Sequence, residues 1–79
     1  MYVIAVYDIS IEEGGKKRLP KIMKLLRKYL HHTQKSVFEG EITEAKYVKI
    51  QKEISQIIED NLDYVVLFSV MNKNNISRL

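Results

Sequence analysis

Apolar positions follow two rhythms along the chain. The opening stretch, MYVIAVYDIS, runs through Tyr2, Val3, Ile4, Ala5, Val6 and Tyr7 before the first charge at Asp8. β-Branched and aromatic residues in a short run closed by turn-formers predict a strand. Residues 16–30 repeat on a helical period instead. Leu19, Ile22, Met23, Leu26 and Leu30 make one stripe, opposed by Lys17, Lys21, Lys24 and Lys28. Pro20 lies in the path of this helix, which therefore either starts late, near Pro20, or has an irregular first turn. Residues 31–42 predict a strand anchored by Val37, Phe38 and Ile42, with a break at Gly40 and a short second strand beyond it. Residues 43–60 predict a second helix with Tyr47, Ile50, Ile54, Ile57 and Ile58 as its stripe, Thr43 as N-cap and Asn61 at the exit. Residues 63–71 predict the last strand. Tyr64, Val66, Phe68 and Val70 face one way; Val65, Leu67, Ser69 and Met71 face the other. Residues 72–79 are a polar tail or short edge strand, with Ile76 and Leu79 as anchors.

The order strand, helix, strand, strand, helix, strand defines an α+β class: a ferredoxin-like split βαβ (βαββαβ) with two helices on one face of an antiparallel sheet. The whole chain, 1–79, is one domain. The first and last strands are apolar on both faces, although helices cover only one. An uncovered apolar sheet face predicts a homodimer that packs sheet against sheet or exchanges its tail.

Composition narrows the chemistry. The chain has 79 residues and no cysteine, which excludes thiolate metal sites and a disulfide framework. A core of this size is marginal, and a partner chain would add to it. The sequence holds no apolar run long enough to span a bilayer, and its start lacks the pattern of a signal peptide. A soluble, cytoplasmic protein with no membrane partner is expected. The net charge of +3 and the pI of about 9.2 lean mildly toward polyanions.

Asp8 is the first candidate for chemistry, because a carboxylate at a strand end meets solvent on a fixed backbone. The bland alternative is a turn or cap role with Ser10. Ser10 and Glu13 have the spacing of a capping box. Gly14-Gly15 lacks the spacing of either common phosphate loop. The basic helix, with Lys16, Lys17, Arg18 and Arg27, is either a solvated face or a phosphate-tracking surface, and both arginines suit bidentate phosphate contacts. His31 and His32 are adjacent on a strand, so their rings point to opposite faces and do not share one ion. Phe38 is a base-stacking candidate or a core residue. Glu39 and Glu41 read as edge charges that discourage further strand pairing. Ser10 and Ser36 read as turn and strand residues rather than nucleophiles. No Ser-His-Asp or Cys-His set stands out.

The strand ending Tyr7-Asp8, the basic helix with Arg18, and above all Gln34-Lys35-Ser36-Val37-Phe38-Glu39-Gly40 resemble the small CRISPR-associated adaptation nuclease, the second protein of the Cas adaptation pair. The likeness runs over nearly the whole chain and is weakest in the tail. It implies a CRISPR-associated endonuclease of the spacer-acquisition machinery, a homodimer that hydrolyses RNA or DNA phosphodiesters with magnesium, or manganese in its place. It also implies an alternative, a non-catalytic scaffold that holds double-stranded DNA between dimers of the Cas integrase. The family's strand-end aspartate maps onto Asp8, one per subunit at a shared metal. Its aromatic neighbour maps onto Tyr7, its helix-start basic residue onto Arg18 and its phenylalanine onto Phe38. A basic residue is common just before the Ser-Val-Phe block, and here His32 occupies that region. With Lys16, Lys17 and Arg27 these make the expected nucleic-acid surface. A more distant likeness is to the toxin-like virulence-associated protein D ribonucleases.

Overall fold

The computed structural model describes residues 1–70. Its elements are β1 (Tyr2–Asp8), α1 (Gly15–Tyr29), β2 (His31–Gln34), β3 (Val37–Glu41), α2 (Glu44–Ile57) and β4 (Tyr64–Val70). The four strands form one sheet in the order β2-β3-β1-β4, and every neighbouring pair is antiparallel. This is the expected βαββαβ arrangement. The readings of Met71 and of the tail, 72–79, lie outside the described residues.

Strand alternation sorts the sheet into a covered and a bare face. Val3, Ala5 and Tyr7 of β1 and Phe38 of β3 are buried beneath the helices with Ile22, Leu25, Leu26, Leu30, Ile50 and Ile54. Val65 and Leu67 pack against the same core. The register sets Ile4 opposite Phe68 and Val6 opposite Val66, so these side chains share the other face. There Tyr64 is 57% exposed and Phe68 53%. The bare apolar face read from the sequence is therefore present.

Several local expectations are corrected. α1 starts at Gly15, so Pro20 sits inside the helix rather than at its start. Proline removes one backbone hydrogen bond there, a loss offset by the apolar stripe that the helix buries. The capping box does not form. The N-cap is Gly14 at φ 88°, Glu13 is left-handed at φ 46°, and the Ser10 hydroxyl accepts from the Glu12 amide instead. The break in residues 31–42 is at Lys35-Ser36, between β2 and β3, whereas Gly40 lies inside β3 opposite Val3. Thr43 caps α2 as expected, accepting from the Lys46 amide at 3.2 Å. The helix ends at Ile57, ahead of Asn61, because the Glu59 amide turns to the Asp63 carboxylate. Glu39 is no edge charge. β3 is an interior strand, and Glu39 is buried, accepting from the Tyr2 hydroxyl at 2.6 Å and the Thr33 hydroxyl at 2.9 Å. Glu41 is exposed and pairs with the Met1 amine at 2.9 Å.

Candidate active site

Asp8 is the last residue of β1, and alternation from Ile4 and Val6 puts it on the bare face of the sheet. It is exposed and lies opposite Tyr64, the first residue of β4. Among the described residues its carboxylate makes no side-chain hydrogen bond or ion pair. An exposed, uncommitted carboxylate on a paired strand end is a fixed ligand for a hard cation or an acceptor for a proton.

The residues around it are tightly held. Tyr7 is buried, and its hydroxyl donates to the Lys35 carbonyl at 3.0 Å while its amide donates to the Ser36 carbonyl. Burial pushes the Tyr7 hydroxyl pKa up, and the Arg27 guanidinium acts in the opposite sense. Phe38 is fully buried with its ring centroid 5.9 Å from that of Tyr7. His32 stacks on Phe38 with ring centroids 4.4 Å apart, nearly parallel, and its Nε2 lies 3.2 Å from the same Lys35 carbonyl. His31 and His32 pair with Glu39 and Phe38 respectively, so they point to opposite faces as the sequence implies. An open depression of about 390 Å³ runs beside this cluster, lined by Asp8, His32 and Lys35 together with Leu19 and Met23.

The structure separates the expected nucleic-acid residues into two groups. Lys16, Lys17, Arg27 and His32 are exposed, as are Lys21, Lys24 and Lys28 on the same helix. The lysines and Arg27 present their charges to solvent, where a phosphate backbone can reach them. Tyr7 and Phe38 are core residues, and a fully buried ring has no face to offer a base. Arg18 is also withdrawn. It is 9% exposed, and its Nε and Nη2 reach Asp63 Oδ2 and Oδ1 at 2.6 and 3.2 Å. Its Nη1 donates to the Glu13 carbonyl at 2.5 Å and its Nη2 to that of Glu12 at 3.4 Å. The reason is geometric: Arg18 lies on the buried side of α1, with Ile22 and Leu25, where a guanidinium needs a carboxylate. The hydrogen bond to Asp63 raises the Arg18 pKa further. On Asp63, burial works to raise the pKa. The bonds from Arg18, Glu59 and Ser10 outweigh it and hold the carboxyl below its usual range.

Among the described residues no group of three or more His, Cys, Asp or Glu side chains could hold a metal. Of the sequence-predicted ligands, one chain offers Asp8. Two copies would offer a pair of carboxylates, a set that fits magnesium, which keeps most of its waters and needs few protein ligands.

A four-stranded antiparallel sheet in the order β2-β3-β1-β4, with both helices on one face, defines the class of ferredoxin-like α+β proteins. Here that scaffold carries an exposed carboxylate at the end of its first strand and a lysine-rich helix. The chain belongs to the CRISPR-associated protein Cas2 family, whose sequence model matches residues 1–78. It is 47% identical over 77 residues to a Moorella thermoacetica protein named CRISPR-associated endoribonuclease Cas2 2, covering 96% of this chain and 85% of that one. A Thermotoga maritima protein named CRISPR-associated endoribonuclease Cas2 is 43% identical over 79 residues, which is all of this chain and 84% of the relative. The fold matches the crystal structure of Streptococcus pyogenes Cas2 with a TM-score of 0.83 and 32% identity, over 100% of this chain and 99% of that one. Among the described residues no helix is long and apolar enough to cross a membrane.

Proposed function

We propose that the chain is a nuclease of the CRISPR spacer-acquisition machinery that hydrolyses nucleic-acid phosphodiesters, with Asp8 as its catalytic carboxylate. The observation that carries this reading is Asp8 itself: exposed, without a side-chain partner among the described residues, and fixed at a strand end on the bare face of the sheet. RNA is the favoured substrate, because relatives 47% and 43% identical are named endoribonucleases. The protein works as a homodimer. Tyr64, Val66, Phe68, Ile4 and Val6 supply the apolar contact, and closing the two bare faces brings one Asp8 from each chain toward the other. The two carboxylates hold magnesium, or manganese in its place. When bound, the ion supplies charge neutralisation at phosphorus and an activated water. The exposed cations of α1 dock the backbone without reading sequence.

A second reading is a scaffold that holds double-stranded DNA between dimers of the Cas integrase. It is favoured by the exposed cations of α1, because docking a phosphate backbone on them does not require Asp8. Labelled single-stranded RNA and double-stranded DNA, offered to wild type and Asp8→Ala with magnesium or with chelator, separate the two. Cutting by wild type alone, and only with metal, supports the nuclease and identifies the substrate. Two equally inert proteins that still bind DNA support the scaffold.

A further inference from the structure

The Asp63 carboxylate is completely buried as a side chain, yet it accepts four hydrogen bonds. They converge from three places. The Ser10 amide, two residues beyond Asp8, reaches Oδ1 at 3.1 Å. The Glu59 amide, in the connection after α2, reaches Oδ2 at 2.9 Å. Arg18, in the early part of α1, grips both oxygens. The residue that follows Asp63 is Tyr64, which pairs with Asp8 across the β1–β4 ladder. Asp8 therefore lies between two backbone points tied to one carboxylate, one on its own exit and one opposite. Arg18 extends the tie to the carbonyls of Glu12 and Glu13, so the loop leaving Asp8 is held at three residues. The closure is tight enough that a Cβ at Gly15 would lie 1.4 Å from the Ser10 carbonyl oxygen.

We propose that Asp63, acting through Arg18 and the Ser10 amide, is the positioning residue that fixes Asp8 at the end of the sheet for cleavage. This rests on the catalytic reading of Asp8 given above. A displacement of about 1 Å at a reacting group lowers rates by as much as ~100-fold, and outer partners that orient a ligand carry effects of roughly 10- to 100-fold. Arg18 gains its role through geometry: a planar fork grips two carboxylate oxygens while its remaining donors hold two carbonyls, which lysine does not reproduce.

The test uses Asp63→Asn and Arg18→Lys, with Arg18→Gln to remove the charge and Asp60→Asn, an exposed acid in the same connection, as control. Cleavage is followed with magnesium across substrate and salt concentrations, and the Asp8 backbone and carboxyl signals are followed by NMR. In Asp63→Asn and Arg18→Lys kcat is expected to fall roughly 10- to 100-fold. KM and salt dependence stay at wild type, the Asp8 signals shift or broaden, and those of Ile50 and Ile54 stay in place. The control matches wild type throughout. A folded Asp63→Asn that cuts at the wild-type rate with unmoved Asp8 signals overturns the proposal. So does a defect confined to KM with a salt slope shallower by about 1 in Arg18→Gln, because that is the mark of a phosphate contact. If Asp63→Asn fails to fold, Arg18→Lys carries the same test. If wild type and Asp8→Ala prove equally inert, the catalytic reading fails by itself. The NMR comparison then still decides whether Asp63 anchors Asp8.

Discussion

Replacing Phe38 separates packing from base stacking. The side chain is fully buried, sits 5.9 Å from the Tyr7 ring and carries the stacked His32 ring at 4.4 Å. Truncating a buried phenylalanine to alanine costs about 3–5 kcal/mol, the lost transfer energy plus the cavity left behind. For a chain of 79 residues, total stability at roughly 0.05–0.15 kcal/mol per residue is about 4–12 kcal/mol. Phe38→Ala is therefore expected to remove about a quarter or more of the stability and, at the lower end of that range, to unfold the protein. Phe38→Leu keeps most of the apolar volume and should cost about 1.5 kcal/mol or less. Urea unfolding followed by far-UV circular dichroism gives both values, and an unchanged slope shows that the two-state comparison holds. Binding of single-stranded RNA to folded Phe38→Leu completes the experiment. A base-stacking role would weaken binding by about 1–3 kcal/mol; the structure predicts no change. A Phe38→Ala protein of wild-type stability that had lost RNA affinity would refute the burial argument.

Four further outcomes follow from the same geometry. Gly15→Ala should destabilise the protein far more than Gly14→Ala. The first drives a Cβ to within 1.4 Å of the Ser10 carbonyl oxygen, whereas the second meets only the Arg18 side chain at 3.3 Å and a left-handed backbone that costs about 1–2 kcal/mol; melting temperatures rank them. The Asp63 carboxyl is held below its usual range, so its stabilising contribution is complete above the unfolded value near ~3.9 and is lost as the pH falls through the lower folded value. The difference in melting temperature between wild type and Asp63→Asn should be constant near neutrality and shrink in acid. Tyr7 should ionise above the ordinary tyrosine value in an alkaline ultraviolet titration, because burial raises its hydroxyl pKa; Tyr7→Phe identifies the late component. Phe68→Glu places a charge on the bare face and should convert a dimer to monomer in sedimentation while leaving the far-UV spectrum intact.

Much of the fold was legible because its signals are local. Period-two and helical stripes mark β1, α1, β3, α2 and β4, whereas the polar β2 carries no stripe, and Thr43 announces the start of α2 through a bond to an amide three residues on. Asp8 stood out as a charge ending an apolar strand, and the exposed lysines of α1 followed from its stripe. Local signals also misled. Ser10 and Glu13 matched a capping box, but the left-handed Glu13 and Gly14 turn the chain another way. Gly40 looked like a break, but pairing with Val3 keeps it in β3. No local pattern marks Asp63 as a site residue. The signal that points to it is indirect: an arginine on the apolar side of a helix requires a buried carboxylate somewhere in the fold.

The sequence by itself determined the order and type of the elements, the two-faced apolar strands and the exposed strand-end carboxylate, because each depends on neighbours two to four residues apart. Only the tertiary structure decided that Arg18 grips Asp63, 45 positions away, instead of facing a phosphate. It likewise decided that Phe38 fills the core and that Glu39, 37 positions from Tyr2, is buried with its hydroxyl as a partner. Those outcomes depend on sheet register and on which loops close beside each other. A buried charge takes whichever opposite group the fold brings within hydrogen-bond reach, and no local pattern records that choice.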